Sequence, residues 1–116
     1  MKTIMLVEDD LPYLKVLTFM MRDWGCRVIA CRDGLEALGA LEDVRPDLII
    51  SDLDMPLLDG IGLFKRYREM SRDPAPFVII SGIADAEARL ARIREDLLGF
   101  YPKPVSVKDL KGMIGE

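Results

Sequence analysis

The chain of 116 residues contains no histidine. That excludes a histidine general base, a Ser-His-Asp triad and any histidine metal ligand. Cysteine is nearly absent too, with only Cys26 and Cys31. They flank a short apolar stretch that reads as a strand, which would set their Cα atoms roughly 16 Å apart, beyond disulfide reach. They read as small core or edge residues in a reducing compartment. No apolar run approaches the about 18 residues of a membrane helix, and the N-terminus lacks a signal-peptide pattern. There is no polybasic run. Acids and bases are mixed along the chain at a formal net charge of −4, which argues against nucleic acid as a direct partner. Repeats, linkers and low-complexity segments are missing as well. These absences predict one soluble, cytoplasmic domain over 1–116 with no membrane contact.

Half of the residues are apolar, enough for a full core at this length. Thr3–Val7 is an apolar run that ends in Glu8-Asp9-Asp10. Asp10 can cap a following helix, and Pro12 is tolerated in its first turn. Tyr13, Val16, Leu17, Met20, Met21 and Trp24 recur at helical spacing and predict its buried face, with Gly25 as the C-cap. Leu14 and Phe19 fall off that stripe, which makes them candidates for an exposed contact surface.

Arg27–Cys31 reads as a second strand. Asp33, with Glu36 three residues on, resembles a capping box opening a helix to about residue 42. The run at 46–50 is a third, buried strand that delivers Asp52 to its C-terminal end. Helices follow over about 60–70 and 85–95, a fourth strand runs from Phe77 to Ser81, and a short fifth one lies around Gly99–Pro102. A last helix starts near Ser106 and reaches almost to the C-terminus. Strands alternating with helices predict an α/β, doubly wound parallel sheet with helices on both faces. The chain stops as its fifth helix finishes, an arrangement open to a free-standing domain or to one part of a longer protein.

In an open parallel sheet, ligands bind outside the C-terminal strand ends. Four strands here end in polar groups: Glu8 and Asp9, Asp52, Ser81, and Lys103. Carboxylates brought that close repel one another and need a cation. Hard oxygen ligands favour Mg²⁺ or Ca²⁺, and Mg²⁺ suits a few carboxylates plus phosphate oxygens and water. A carboxylate beside Mg²⁺, a lysine and a hydroxyl is an arrangement for phosphoryl transfer. Asp52 would attack phosphorus, while Lys103 and the Ser81 hydroxyl stabilise charge on the transferring oxygens.

Several segments together resemble the response-regulator receiver domain of two-component signalling, the CheY-like domain. They are Met5-Leu6-Val7-Glu8-Asp9-Asp10, Asp33-Gly34-Leu35-Glu36-Ala37-Leu38, Pro46 through Pro56, Asp59-Gly60, Ile80-Ser81-Gly82 and Tyr101-Pro102-Lys103-Pro104. The resemblance covers the whole chain and implies a flavodoxin-like fold with strand order 2-1-3-4-5. It implies that Asp52 is the phosphoacceptor and that Glu8 and Asp9 hold Mg²⁺, with the backbone carbonyl of Asp54. It also implies that Ser81 is a switch hydroxyl, Lys103 its phosphoryl-pairing partner and Phe100 the switch aromatic. The Lys103-Pro104 bond matches a position usually cis. The implied function is a phosphorylation-dependent switch rather than an enzyme acting on an outside substrate. Its phosphoryl donor would be a sensor histidine kinase or histidine phosphotransfer protein, since this chain has no histidine of its own.

The family's usual signalling face, formed by the fourth helix, fifth strand and fifth helix, would carry Arg89, Arg92, Lys108 and Lys111. Glu8 stands in place of the frequent Asp, Ser81 in place of Thr, and Phe100 lacks a tyrosine hydroxyl. Two other readings share some of these residues. Asp52-Leu53-Asp54 has the Asp-x-Asp spacing of haloacid-dehalogenase-like phosphatases, although there the motif usually follows the first strand of the core. A receiver-like interaction module that is never phosphorylated is the other.

Overall fold

The computed structural model describes residues 1–115. Its strands are β1 (Thr3–Val7), β2 (Arg27–Cys31), β3 (Leu48–Asp52), β4 (Phe77–Ser81) and β5 (Gly99–Pro102). Its α-helices are α1 (Leu11–Asp23), α2 (Gly34–Ala40), α3 (Gly60–Met70), α4 (Ala86–Leu90) and α5 (Val107–Met113). The strands pair in parallel, as their alternation with helices predicts, in the order β2-β1-β3-β4-β5 that the resemblance implies.

Strand alternation divides the core in two. Met5, Val7, Ile49, Phe77 and Ile79 point to one face, where they meet α2, α3 and α4 through Ala37, Leu63, Phe64 and Leu90. Ile4, Leu6, Leu48, Ile50, Val78 and Ile80 point to the other and meet α1 and α5 through Leu14, Leu17, Met21, Leu110 and Met113. Because both faces are covered, β3 and β4 are buried along their whole length.

Four of the five helix starts follow the capping rules, the exception being α4, where Asp85 makes no side-chain cap. The side chains of Asp10, Asp33, Asp59 and Ser106 accept from the backbone N–H groups of Tyr13, Glu36, Gly62 and Asp109. Glu36 completes its box one residue early, accepting from the Arg32 N–H at 3.0 Å. α1 is capped by Trp24, and Gly25 follows in the left-handed region at φ 89°.

Three expectations need correction. The buried face of α1 centres on Leu14, Leu17, Thr18 and Met21. Leu14 is only 6% exposed, so it is core, whereas Val16 at 54% and Phe19 at 74% face solvent. Tyr13, Met20 and Trp24 flank that face half-buried. The apolar stripe is wider than the face that packs, and a threonine occupies part of that face. The helix expected over 85–95 stops at Leu90. The chain then tightens into a 3₁₀ turn at Arg94–Asp96, with Ile93 N–H donating to Leu90 C=O and Asp96 N–H to Ile93 C=O. The tightening keeps Ala86, Leu90, Ile93 and Leu97 all buried. α2 likewise ends at Ala40, two residues short of expectation.

Candidate functional site at the strand ends

Each site residue is placed by a strand that has just finished. Glu8 follows β1, and its N–H donates to the Cys31 carbonyl of β2 at 3.0 Å, so the ladder runs one residue past the strand. Asp52 closes β3 opposite Ile80. The Ser51 hydroxyl donates to the Asp52 carbonyl at 2.9 Å. Lys103 follows β5, and its N–H donates to the Ser81 carbonyl at 2.8 Å, which ties the last residue of β4 to the lysine. The Lys103-Pro104 bond is cis.

Glycine makes the close approach possible. A Cβ on Gly60 would lie 2.5 Å from the Asp52 carbonyl oxygen and 3.1 Å from the Leu53 Cα. Only a residue without a side chain lets α3 start against the end of β3.

The charges are buried and paired. Glu8 is 1% exposed and Asp52 4%. The Lys103 Nζ lies 2.6 Å from Glu8 Oε1 and 3.2 Å from Asp52 Oδ2. The other Glu8 oxygen accepts from the Asp10 N–H at 3.1 Å. Burial pushes Asp52 up to about 7, and Glu8 adds to the rise through a hydrogen bond and its charge, while Lys103 opposes it. Burial works against the charged form of Lys103, but Glu8 and Asp52 outweigh it and hold the ammonium above its ordinary range.

Asp9, exposed beside them, completes a set of three carboxylates whose oxygens lie within 4.8 Å of one another. Three acids against one ammonium leave uncompensated negative charge. All three offer hard oxygens, so the set fits a small divalent cation.

The other expected site residues surround this cluster. Ser81 is buried, and its Oγ accepts from the Ile83 N–H at 3.1 Å. Ser81, Phe100 and Lys103 line one cavity of about 350 Å³ with Gly82, Ala86 and Pro102. Phe100 is half-buried at the edge of the core. The Asp54 side chain stays outside the acidic set. It is exposed and lies 3.9 Å from Arg89, which also reaches Asp59 at 3.5 Å. Arg89 therefore leans toward the β3–α3 loop. The Lys111 Nζ lies over the Trp24 ring at 5.3 Å. Two of the four cations expected on the α4–β5–α5 face thus have partners within the chain. Sequence reasoning missed Arg89's partners and also Tyr13, whose ring lies under the Lys103 ammonium; no local spacing signals either.

Residues 4–115 match the family model of the response regulator receiver domain. The chain belongs to that family. A response regulator receiver protein of Anaeromyxobacter sp. is 35% identical over 107 residues, which is 92% of this receiver domain and 44% of that protein. The receiver thus spans less than half of that relative's length. Among solved structures, the receiver domain of a signal transduction histidine kinase from Syntrophus aciditrophicus superposes with a TM-score of 0.87 at 26% identity, covering 99% of this chain and 88% of that one. The response regulator TrrA of Thermotoga maritima, solved with Mg²⁺ and BeF, shares the fold with a TM-score of 0.86 at 22% identity, covering 99% and 97%.

Proposed function

We propose that this receiver accepts a phosphoryl group on Asp52 and passes the change to the surface of α4, β5 and α5. One observation carries the reading: a buried carboxylate at the end of β3 lies 3.2 Å from a lysine ammonium and within reach of two more acids.

An Asp52 oxygen forms a bond to phosphorus as the bond from phosphorus to the donor's imidazole nitrogen breaks, and the electron pair of that bond stays on the imidazole. Glu8, Asp9, Asp52 and the Asp54 backbone carbonyl would hold Mg²⁺, which supplies charge neutralisation and polarises phosphoryl oxygens when bound. Lys103 offers a charge-assisted hydrogen bond to the new phosphoryl oxygens. Ser81 acts first as an acceptor for Ile83. By turning to donate to the phosphoryl group it would release the start of the β4–α4 loop and open space for Phe100. The donor is a phosphohistidine on a histidine kinase or histidine phosphotransfer protein. The compartment is the cytoplasm, in keeping with the absence, among the described residues, of any helix long and apolar enough to cross a membrane.

The phosphatase reading rests on the Asp-x-Asp spacing and needs Asp54 itself working beside Asp52. Asp54 points to Arg89 instead. Incubation with acetyl phosphate and Mg²⁺, followed by mass spectrometry of peptides, tests the proposal. A single acyl phosphate at Asp52 is the expected product, and an adduct elsewhere, or sustained turnover of a phosphate ester, contradicts it.

A further inference from the structure

Lys103 has a third neighbour that is not an acid. Its Nζ sits over the ring of Tyr13, 5.4 Å from the centroid. The same Tyr13 accepts, through its hydroxyl, from the Val105 N–H at 3.0 Å. Val105 lies two residues past Lys103, so one α1 side chain grips both the lysine's ammonium and the backbone that follows it. Tyr13 is itself held. It sits half-buried against the core, and its own N–H donates to the capping oxygen of Asp10 at 3.3 Å.

The two oxygen partners of Lys103, Glu8 and Asp52, are the acids that a divalent cation would also claim. If they turn to the cation, both ion pairs weaken together, and a flexible lysine set free has many rotamers to explore. The tyrosine ring is a partner the cation does not compete for: its π face attracts an ammonium, whereas Mg²⁺ takes oxygen ligands.

We propose that Tyr13 is a positioning residue whose ring keeps the Lys103 ammonium at the strand ends while Glu8 and Asp52 change partners, so that the lysine is in place for the phosphoryl oxygens. The inference rests on Asp52 being the phosphoacceptor. The hydroxyl contact to Val105 sets the ring and the loop in register; the ring holds the charge.

The test compares the full chain with Tyr13→Phe and Tyr13→Leu. In ¹³C-lysine NMR spectra without phosphate, the Lys103 ε-methylene should show a ring-current shift in wild type and Tyr13→Phe, and lose it in Tyr13→Leu. With saturating Mg²⁺, the rate of Asp52 phosphorylation is then followed against acetyl phosphate concentration. Tyr13→Leu should lower the limiting rate about fivefold with the half-saturating concentration unchanged, the size expected of one cation–π contact. Tyr13→Phe should keep the limiting rate within about twofold of wild type, because it keeps the ring face. Equal ε-methylene shifts in wild type and Tyr13→Leu would overturn the proposal. So would a limiting rate in Tyr13→Phe as low as in Tyr13→Leu, since the ring would then not be the agent. A wild-type chain that gains no acyl phosphate would instead overturn the phosphoacceptor reading, and the ε-methylene shifts would still decide whether Tyr13 holds Lys103.

Discussion

The two ends of the sheet use the same kinds of residue to opposite effect. At the end opposite the candidate site, the segments around 41–47 and 70–76 enclose a groove of about 620 Å³. Glu42, Asp43, Arg45, Asp47, Arg72 and Asp73 line it, and all six are exposed. At the site end the cavity is smaller, about 350 Å³, yet the neighbouring Glu8 and Asp52 are almost fully buried. Water screens the first set of charges, so their mutual effects are small. The second set has lost most of its water, so each charge sets the state of the next. Chemistry in this fold is therefore located by buried, unbalanced charge and not by the amount of empty space.

The strongest way to break that contrast is to neutralise one carboxylate at each end. Asp52→Asn should abolish acyl phosphate formation completely, while Asp73→Asn in the larger groove should leave yield and rate at wild-type levels. Intact-protein mass spectrometry reads both, and loss of phosphorylation in Asp73→Asn would erase the distinction.

The next effect is on the backbone. Gly60→Ala forces a Cβ against the Asp52 carbonyl and should cost about 3 kcal/mol of stability. Gly39→Ala, where a Cβ meets nothing within 4 Å, should instead stabilise by about 0.5 kcal/mol. Urea titrations of the two variants give both numbers.

Proton linkage sharpens the comparison further. The folded Asp52 holds its proton up to about 7, against an ordinary value of 3.8. The native state then binds more protons than the unfolded one between those values, so this contribution is complete below pH 4 and is lost as pH rises through 7. Without divalent cation, stability should fall by about 2 kcal/mol between pH 5 and 8 on this account. Asp52→Asn should flatten the slope, and Asp73→Asn should not. Thermal melts across that window check it. Lys103, raised above its ordinary 10.5, has its own window at higher pH and leaves this one alone.

Asp9 is the exposed member of the acidic set, so its removal should do less. Asp9→Asn should weaken Mg²⁺ binding about tenfold, the scale of one unit-charge contact near a protein surface, reduced by screening. Calorimetric titration with Mg²⁺ measures it. The smallest effect on acceptance belongs to Ser81→Ala: it should take up phosphate at Asp52 within about twofold of wild type, since Asp52, Lys103 and the acids remain. Amide shifts near Phe100 on adding beryllofluoride should shrink in that variant, and shifts equal to wild type would detach Phe100 from Ser81.

The convergence of Glu8, Asp9, Asp52, Ser81 and Lys103 was legible because each buried apolar run stops at a polar residue, and parallel topology carries such stops to one edge; the strand order came from the resemblance of the motifs to the receiver family, not from the spacing of the runs. The facing of α1 was less legible. Its apolar residues spread over more than one face, and buried Thr18 carries no apolar signal. The shortening of α4 depends on how Leu90, Ile93 and Leu97 reach the core, a tertiary choice that helical spacing does not record. Tyr13 and Arg89 were hidden for a plainer reason. Val105 is 92 residues from Tyr13, and Asp59 is 30 from Arg89. Such partners are brought together by the tertiary fold, which local spacing does not record.

Cys31 sits at the end of β2, with its carbonyl bonded to the N–H of Glu8. Burial, with Glu36 and then Asp33 adding to it, pushes its thiol up to about 12. The thiolate is the form that reacts with peroxides and disulfides, and at neutral pH this residue is almost never a thiolate. A sulfur one ladder step from the acidic site is thus held as the unreactive thiol, so the second-strand end brings no competing nucleophile to Asp52.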